Sequence, residues 1–356
     1  MSSVEIMKLI QGNVLSLKPY HVESTDCEIK LHANENPFPP SKELLELFSS
    51  SLQKLQLNRY PDPDSRALKD SIADRLGIET KHLVIGNGSD EIILFLLQVF
   101  CQKGDTITFP DPTFSMYSII AQGLGIKSVS ISLDNHWDFS ADVILQSAEE
   151  NNSKIIFLSY PNNPTGNCFS DTQVQKVIDN FQGIVVIDEA YHDFSRKSFV
   201  NQIKEHNNLI VLRSLSKIGL AALRVGFGVA DPLVISEINK VRLPYNSNTI
   251  SQVFAENLIT NFEAVQTQIN SILDERHRLL DELHKIESVT AFPSDSNFIL
   301  FKTKQPAGSI FAFLSKNGIL VRNLSSHPKL INCLRVTVGT KSENDRFLSK
   351  LKDFKN

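Results

Sequence analysis

KIIFLSYPNNPTG (154–166), GIVVIDEAY (183–191) and NLIVLRSLSK (208–217) share one pattern: four consecutive apolar residues, then a polar cluster. Runs of Ile, Val, Leu and Phe without polar alternation predict strands buried on both faces. Working outward, HLVIGNG (82–88), DTITFP (105–110) and RVGFGVA (224–230) have the same character. Helical stretches lie between them. One covers 89–100 and opens Ser-Asp-Glu, as a helix N-terminus prefers; another covers 170–180. Alternation of this kind predicts an α/β fold, a mostly parallel central sheet flanked by helices on both faces.

The chain changes character on either side of that region. Residues 247–287 are charged, helix-forming and nearly free of Gly and Pro, which predicts a long helix leading into a second unit. That unit holds strand-like SNFILFKT (296–303), GILVRN (318–323) and CLRVTVGT (333–340), with a helix near 308–317, and reads as a small α+β domain. The first 40 residues read as an arm and a Pro-rich linker. The expected division is therefore arm and linker 1–40, large domain 41–250, and connecting helix with small domain 251–356.

Composition narrows the function. With 356 residues, 41% hydrophobic, the chain can bury a large core, and its net charge is −4. No basic excess is available for a phosphate backbone or a polybasic membrane contact, so neither nucleic acid nor membrane is an expected partner. The apolar runs, such as 92–97, are far shorter than the roughly 20 residues a bilayer requires. MSSVEIMKLIQGN at the N-terminus does not read as a signal peptide. Cys27, Cys101, Cys168 and Cys333 are widely spaced, which argues against a metal site or disulfide framework and for reduced thiols in the cytoplasm.

Ligands of open α/β sheets sit beyond the carboxyl ends of the strands. Five such ends carry GNGSDE (86–91), DPTF (111–114), NNPTG (162–166), DEAY (188–191) and SLSK (214–217). Gly88, Ser89 and Asp90 open a helix whose free N–H groups suit an anion. Taken singly, these residues have plainer readings. Lys217 could be a solvated surface lysine, Asp188 a helix cap, Asn163 a turn residue before Pro164, Phe114 core, and Tyr60 a turn residue before Pro61. Arg335 interrupts an apolar strand, where an unpaired guanidinium is costly, and this favours a binding role.

In order and spacing, NNPTG, DEAY and SLSK…LRVGF resemble the fold-type I, class II, pyridoxal-phosphate (PLP) aminotransferases over nearly the whole chain. KPYH (18–21), KLHANENPFPPS (30–41), NRYPDP (58–63), LPYNSN (243–248), GILVRN and CLRVTVGT are most similar to the histidinol-phosphate branch of that family. The resemblance implies that Lys217 holds PLP as a Schiff base and moves a proton. Asp188 would face the pyridine nitrogen, and Tyr191 and Asn163 the phenolate oxygen. Phe114 would stack on the ring, replacing a tyrosine common in relatives. Gly88, Ser89, Asp90, Ser214, Ser216 and Arg224 would cradle the phosphate, Asp90 through its backbone N–H. Tyr60 would reach the phosphate of a neighbouring subunit's cofactor, implying a homodimer. Arg335 and Arg322 would bind substrate anions, with Tyr20, Asn34 and Tyr245 at the pocket mouth, and no metal is expected. The implied reaction moves an amino group between L-histidinol phosphate and 2-oxoglutarate, with glutamate in the reverse half-reaction. Aromatic-amino-acid transamination, phospho-amino-acid decarboxylation and a non-catalytic PLP-binding regulator remain alternatives.

Overall fold

The computed structural model describes residues 3–19 and 26–354. The chain first contributes a short strand, β1 (Ile29–Leu31), to a small sheet. It then builds a seven-stranded sheet from β2 (Leu83–Asn87), β3 (Thr106–Asp111), β4 (Lys127–Ser132), β5 (Ser153–Ser159), β6 (Ile184–Asp188), β7 (Leu209–Ser214) and β8 (Val225–Val229). Finally it completes the small sheet with β9 (Val289–Ala291), β10 (Phe298–Thr303), β11 (Ile319–Asn323) and β12 (Cys333–Thr337).

The large sheet has the order β2-β8-β7-β6-β5-β3-β4, and its apolar runs are buried on both faces as expected. Successive side chains of a strand point to opposite faces. Ile156, Leu158, Val185, Ile187, Leu209 and Val211 therefore enter one core. Ile155, Phe157, Val186, Ile210 and Leu212 enter the other. Helix Asp171–Asn180 covers the first face through Val174, Val177 and Ile178, and helix Ser89–Phe100 covers the second through Ile92, Phe95 and Leu96.

Three features differ from, or add to, the sequence expectation. β8 runs antiparallel to both neighbours, while the other pairings are parallel. Its first residues consequently lie at the edge where the other strands end, which is how Arg224 joins the strand-end motifs. β4, KSVSIS, is a polar edge strand with alternating exposure, invisible to a search for continuous apolar runs. The 247–287 stretch is two helices, Thr249–Thr260 and Glu263–His284. Thr260 Oγ1 and Asn261 Nδ2 donate back to the carbonyls of Glu256 and Asn257, and such local bonds compete with helix continuation.

The small sheet has the order β1-β11-β12-β10-β9. β1 lies parallel to β11, and the remaining pairs are antiparallel. The N-terminal segment thus supplies an edge strand of the small sheet and continues as the chain at 32–34 along the large sheet's carboxyl edge.

Candidate active site

The carboxyl edge of the large sheet and the end of the small sheet enclose a cleft of about 460 Å³. Thirteen of the residues singled out from sequence line it: Asn34, Ser89, Asp90, Phe114, Asn163, Asp188, Tyr191, Ser214, Ser216, Lys217, Arg224, Arg322 and Arg335.

Asp188 ends β6 at the floor and is almost wholly buried. Its Oδ2 accepts from the Tyr117 hydroxyl at 2.8 Å and its Oδ1 from the Ala190 N–H at 3.1 Å. Burial pushes its carboxyl up to about 6, against the pull of those two hydrogen bonds and the nearby Lys217 ammonium. The next residue, Glu189, points the other way and pairs with Arg213 at 3.0 Å in the core, so it locks β6 to β7 rather than facing the cleft.

Lys217 sits in the 3₁₀ turn Leu215–Ile218 just past β7, held by the Ser214 hydroxyl accepting from the Ser216 N–H. It is not the solvated lysine of the plainer reading. Its Nζ lies 3.5 Å from the Ala33 carbonyl and 5.6 Å from the centre of the Tyr191 ring.

Two bonds orient the next pair. Tyr191 Oη accepts from Asn34 Nδ2 at 2.9 Å, which leaves its own proton to donate elsewhere. Asn163 Oδ1 accepts from Arg335 Nη1; a guanidinium only donates, so the amide turns its NH₂ end the other way. Asn34 was expected at the pocket mouth, but it is 1% exposed with φ 57°. It is held by Thr337 and Asn297, and it positions Tyr191.

At the opposite end, Gly88 (φ 84°) precedes the helix Ser89–Phe100. A Cβ on Gly88 would lie 2.7 Å from Arg224 Nη2, and one on Gly226 would lie 2.4 Å from the Ser89 backbone nitrogen. Glycine at 226 is what lets β8 approach the helix start this closely, and the positive φ of Gly88 favours glycine there. Arg224 also donates to Ser216 Oγ at 3.3 Å, and its Nη2 lies 3.2 Å from Asp90 Oδ2. The Asp90 carboxylate, expected to stay out of the cradle, is therefore turned onto Arg224.

Tyr60 and Tyr245 do not reach this cleft. They stack on each other at the surface, ring centres 4.5 Å apart, and are 81% and 42% exposed. Tyr20 lies outside the described residues. Sequence reasoning missed Tyr117, His32 and His327. Tyr117 was legible in principle, because it follows Phe114 by three residues at a helix start. The two rings meet edge to face at 5.5 Å, and Tyr117 stacks on Phe157 at 4.7 Å.

The donor set fits PLP. Hydroxyls, helix N–H groups and one arginine meet in a glycine-permitted cradle at one end, and a buried carboxylate and a reachable lysine stand at the other. Among the described residues, no group of three or more His, Cys, Asp or Glu gathers to hold a metal ion, and the cysteines are free.

Residues 27–351 match the family model described as aminotransferase class I and II. A histidinol-phosphate aminotransferase of Aquifex aeolicus is 40% identical over 346 residues, 97% of this chain and 98% of that protein. Histidinol-phosphate aminotransferase 2 of Nitrosococcus oceani is 39% identical over 99% of both chains. Among solved structures, the Sinorhizobium meliloti histidinol-phosphate aminotransferase in complex with pyridoxal-5′-phosphate superposes with a TM-score of 0.88 over 97% of this chain and 96% of that one, at 20% identity. These matches agree with the cleft and its donors: the chain belongs to the class I and II aminotransferases, and it is a PLP-dependent enzyme.

Proposed function

We propose that the protein transfers an amino group between L-histidinol phosphate and 2-oxoglutarate, giving imidazole acetol phosphate and L-glutamate, a step of L-histidine synthesis. The observation that carries this reading is the pair Arg322 and Arg335, opposite each other on β11 and β12 and both lining the cleft. Two guanidinium forks suit a site that must accept phosphate from one substrate and carboxylates from the other in turn. Similarity to curated histidinol-phosphate aminotransferases along nearly the full chain supports the same substrate.

When bound, PLP supplies the electron sink for the substrate's reacting carbon and the carrier for its amino group. The chain's own residues do the rest. Lys217 Nζ would hold the cofactor, and as a free amine it would take the proton from the substrate's reacting carbon and give it back. Asp188, buried at the end of β6, would hold a proton on the pyridine nitrogen. Tyr191 and Asn163 donate to the phenolate oxygen. Phe114 covers a ring face. Ser89, Ser214, Ser216, Arg224 and the N–H groups of 88–90 bind the phosphate.

The same proposal includes a homodimer. Tyr60 and Tyr245 are stacked and exposed on one protomer, where they could serve a partner's cleft. It also includes units divided near residues 40 and 250, small-molecule partners and a cytoplasmic location. No helix among the described residues is long and apolar enough to cross a membrane.

The test adds L-histidinol phosphate, without acceptor, to PLP-loaded protein and follows the visible absorbance of the cofactor. Loss of the band, reversed by 2-oxoglutarate, is the expected result. Bleaching by an aromatic amino acid but not by histidinol phosphate overturns the substrate assignment, and CO₂ release without an acceptor overturns the reaction.

A further inference from the structure

Two strands of the small sheet and the bend after a third bring three nitrogen-bearing side chains to the same cleft. Arg322 on β11 is opposite Arg335 on β12. On the other side β1 runs parallel to β11 and ends with Leu31 opposite Val321, and His32 is the next residue of the chain, in the bend just past the strand. Arg322 and Arg335, opposite each other in the sheet, share a face, and all three residues line the cleft. Arg335 is also tied to the bend, donating from Nη2 to the His32 carbonyl at 2.7 Å.

His32 has no evident structural job. Its Nδ1 is shielded from solvent and has no hydrogen-bond partner, so that nitrogen does not anchor the ring to the protein. Burial, with Arg322, Arg335 and Lys30 acting against Glu35, holds the imidazole below its ordinary value. An anion lodged against the three side chains would cancel the guanidinium fields and let the ring take up a proton. A phosphate dianion places two charges there, whereas a carboxylate places one.

We propose that His32 is the third member of an anion-binding shelf with Arg322 and Arg335, and that it favours a phosphorylated ligand over a purely carboxylate one. This deepens the function proposed above and rests on it for the identity of the phosphorylated substrate.

The test titrates inorganic phosphate and 2-oxoglutarate calorimetrically into PLP-loaded wild-type and His32→Asn protein at pH 6 and pH 8. Phosphate affinity falls roughly tenfold in the variant at pH 6, as loss of one charge-assisted hydrogen bond implies, and falls less at pH 8. The affinity for 2-oxoglutarate changes by less than about twofold. Protonation of phosphate itself is common to both proteins and drops out of the ratio. Equal losses for the two ligands overturn the proposal, and so does an unchanged phosphate affinity at pH 6. Wild-type cofactor absorbance and melting temperature qualify the variant, and His32→Gln replaces it should Asn disturb the strand. Because calorimetry needs no turnover, a shelf that binds phosphate through His32 stands even where histidinol phosphate proves not to be the substrate.

Discussion

The two walls of the cleft are built in opposite ways. At the carboxyl edge of the large sheet, several groups are fixed within that edge: Tyr117, from the helix after β3, on Asp188, the Ser214 hydroxyl on the Ser216 N–H, and Arg224 on Ser216, whereas Tyr191 and Asn163 are oriented from across the cleft by Asn34 and Arg335. On the small-sheet wall, residues far apart in the chain are brought together by strand pairing; His32 and Arg335 are 303 positions apart. Most of the first wall is a set of strand-end turns that a parallel sheet gathers at one edge. The second exists only once β1 has docked beside β11. The cofactor side is therefore fixed mainly within one sheet edge, and the substrate side depends on the pairing of distant segments.

That contrast predicts a ranking of losses, largest on the cofactor wall. Lys217→Ala removes both anchor and proton carrier. Turnover falls by at least the ~10²–10⁴-fold that a positioned proton-transfer group contributes, and the visible cofactor band characteristic of the wild type disappears. A variant that turns over normally would end the assignment. Asp188→Asn is next, costing about tenfold to a hundredfold in rate through one charge-assisted hydrogen bond. It carries a stability signature as well. The folded carboxyl sits at about 6, above its ordinary 3.8. The stability it contributes is full below pH 4 and is lost as pH rises through about 6. The ionised form then costs the cofactor-free protein at most about 3 kcal/mol. Cofactor-free Asp188→Asn should melt above wild type at pH 8 and show no such gain at pH 4. An Asn variant less stable at pH 8 would mean that the carboxylate is well solvated after all.

The same contrast explains what could be read from the sequence. Every strand of the large sheet with a continuous apolar run was visible, and so were the polar residues after each, because burial on both faces and the strand-end location are properties of a short segment. β4 escaped because one of its faces is exposed, and the direction of β8 escaped because its apolar run carries no orientation. The break at Asn261 depends on side-chain bonds to carbonyls one turn back. On the small-sheet wall, Arg335 stands out as a charge in an apolar strand and Arg322 is reached through the resemblance, but their neighbour His32 lies outside any strand pattern. Asn34 was misplaced at the mouth, since nothing in ANENPF shows that Thr337 and Asn297 enclose it.

Tyr117→Phe tests whether the fixing of groups within the cofactor wall is itself functional. It removes one of the two donors that Asp188 keeps inside the protein. An underserved buried carboxylate costs about 1–3 kcal/mol, and the loss raises the Asp188 carboxyl further. The expected outcome is weaker PLP binding by equilibrium dialysis and an acid limb of the rate profile displaced to higher pH, with a smaller rate loss than in Asp188→Asn. A uniform rate loss with an unmoved acid limb would make Tyr117 packing alone.

The smallest effect belongs where the walls touch at the rim. His327 Nε2 lies 3.0 Å from Asp111 Oδ2, each side chain about a third exposed, and Lys329 Nζ donates to the Leu133 carbonyl at 2.8 Å beside it. Solvent screens such a pair, so Asp111→Asn should change stability by less than about 1 kcal/mol. Its position gives it a different readout. The clasp spans the cleft without touching the Lys217 or Asp188 groups, so loosening it lets the small-sheet wall move relative to a cofactor wall that stays intact. KM for both substrates should rise about two- to threefold with kcat nearly constant, the pattern of weakened ground-state and transition-state binding alike. A kcat loss as deep as that of Tyr117→Phe would show that the two walls act as one body, and the distinction between a local and an assembled side of the site would fail.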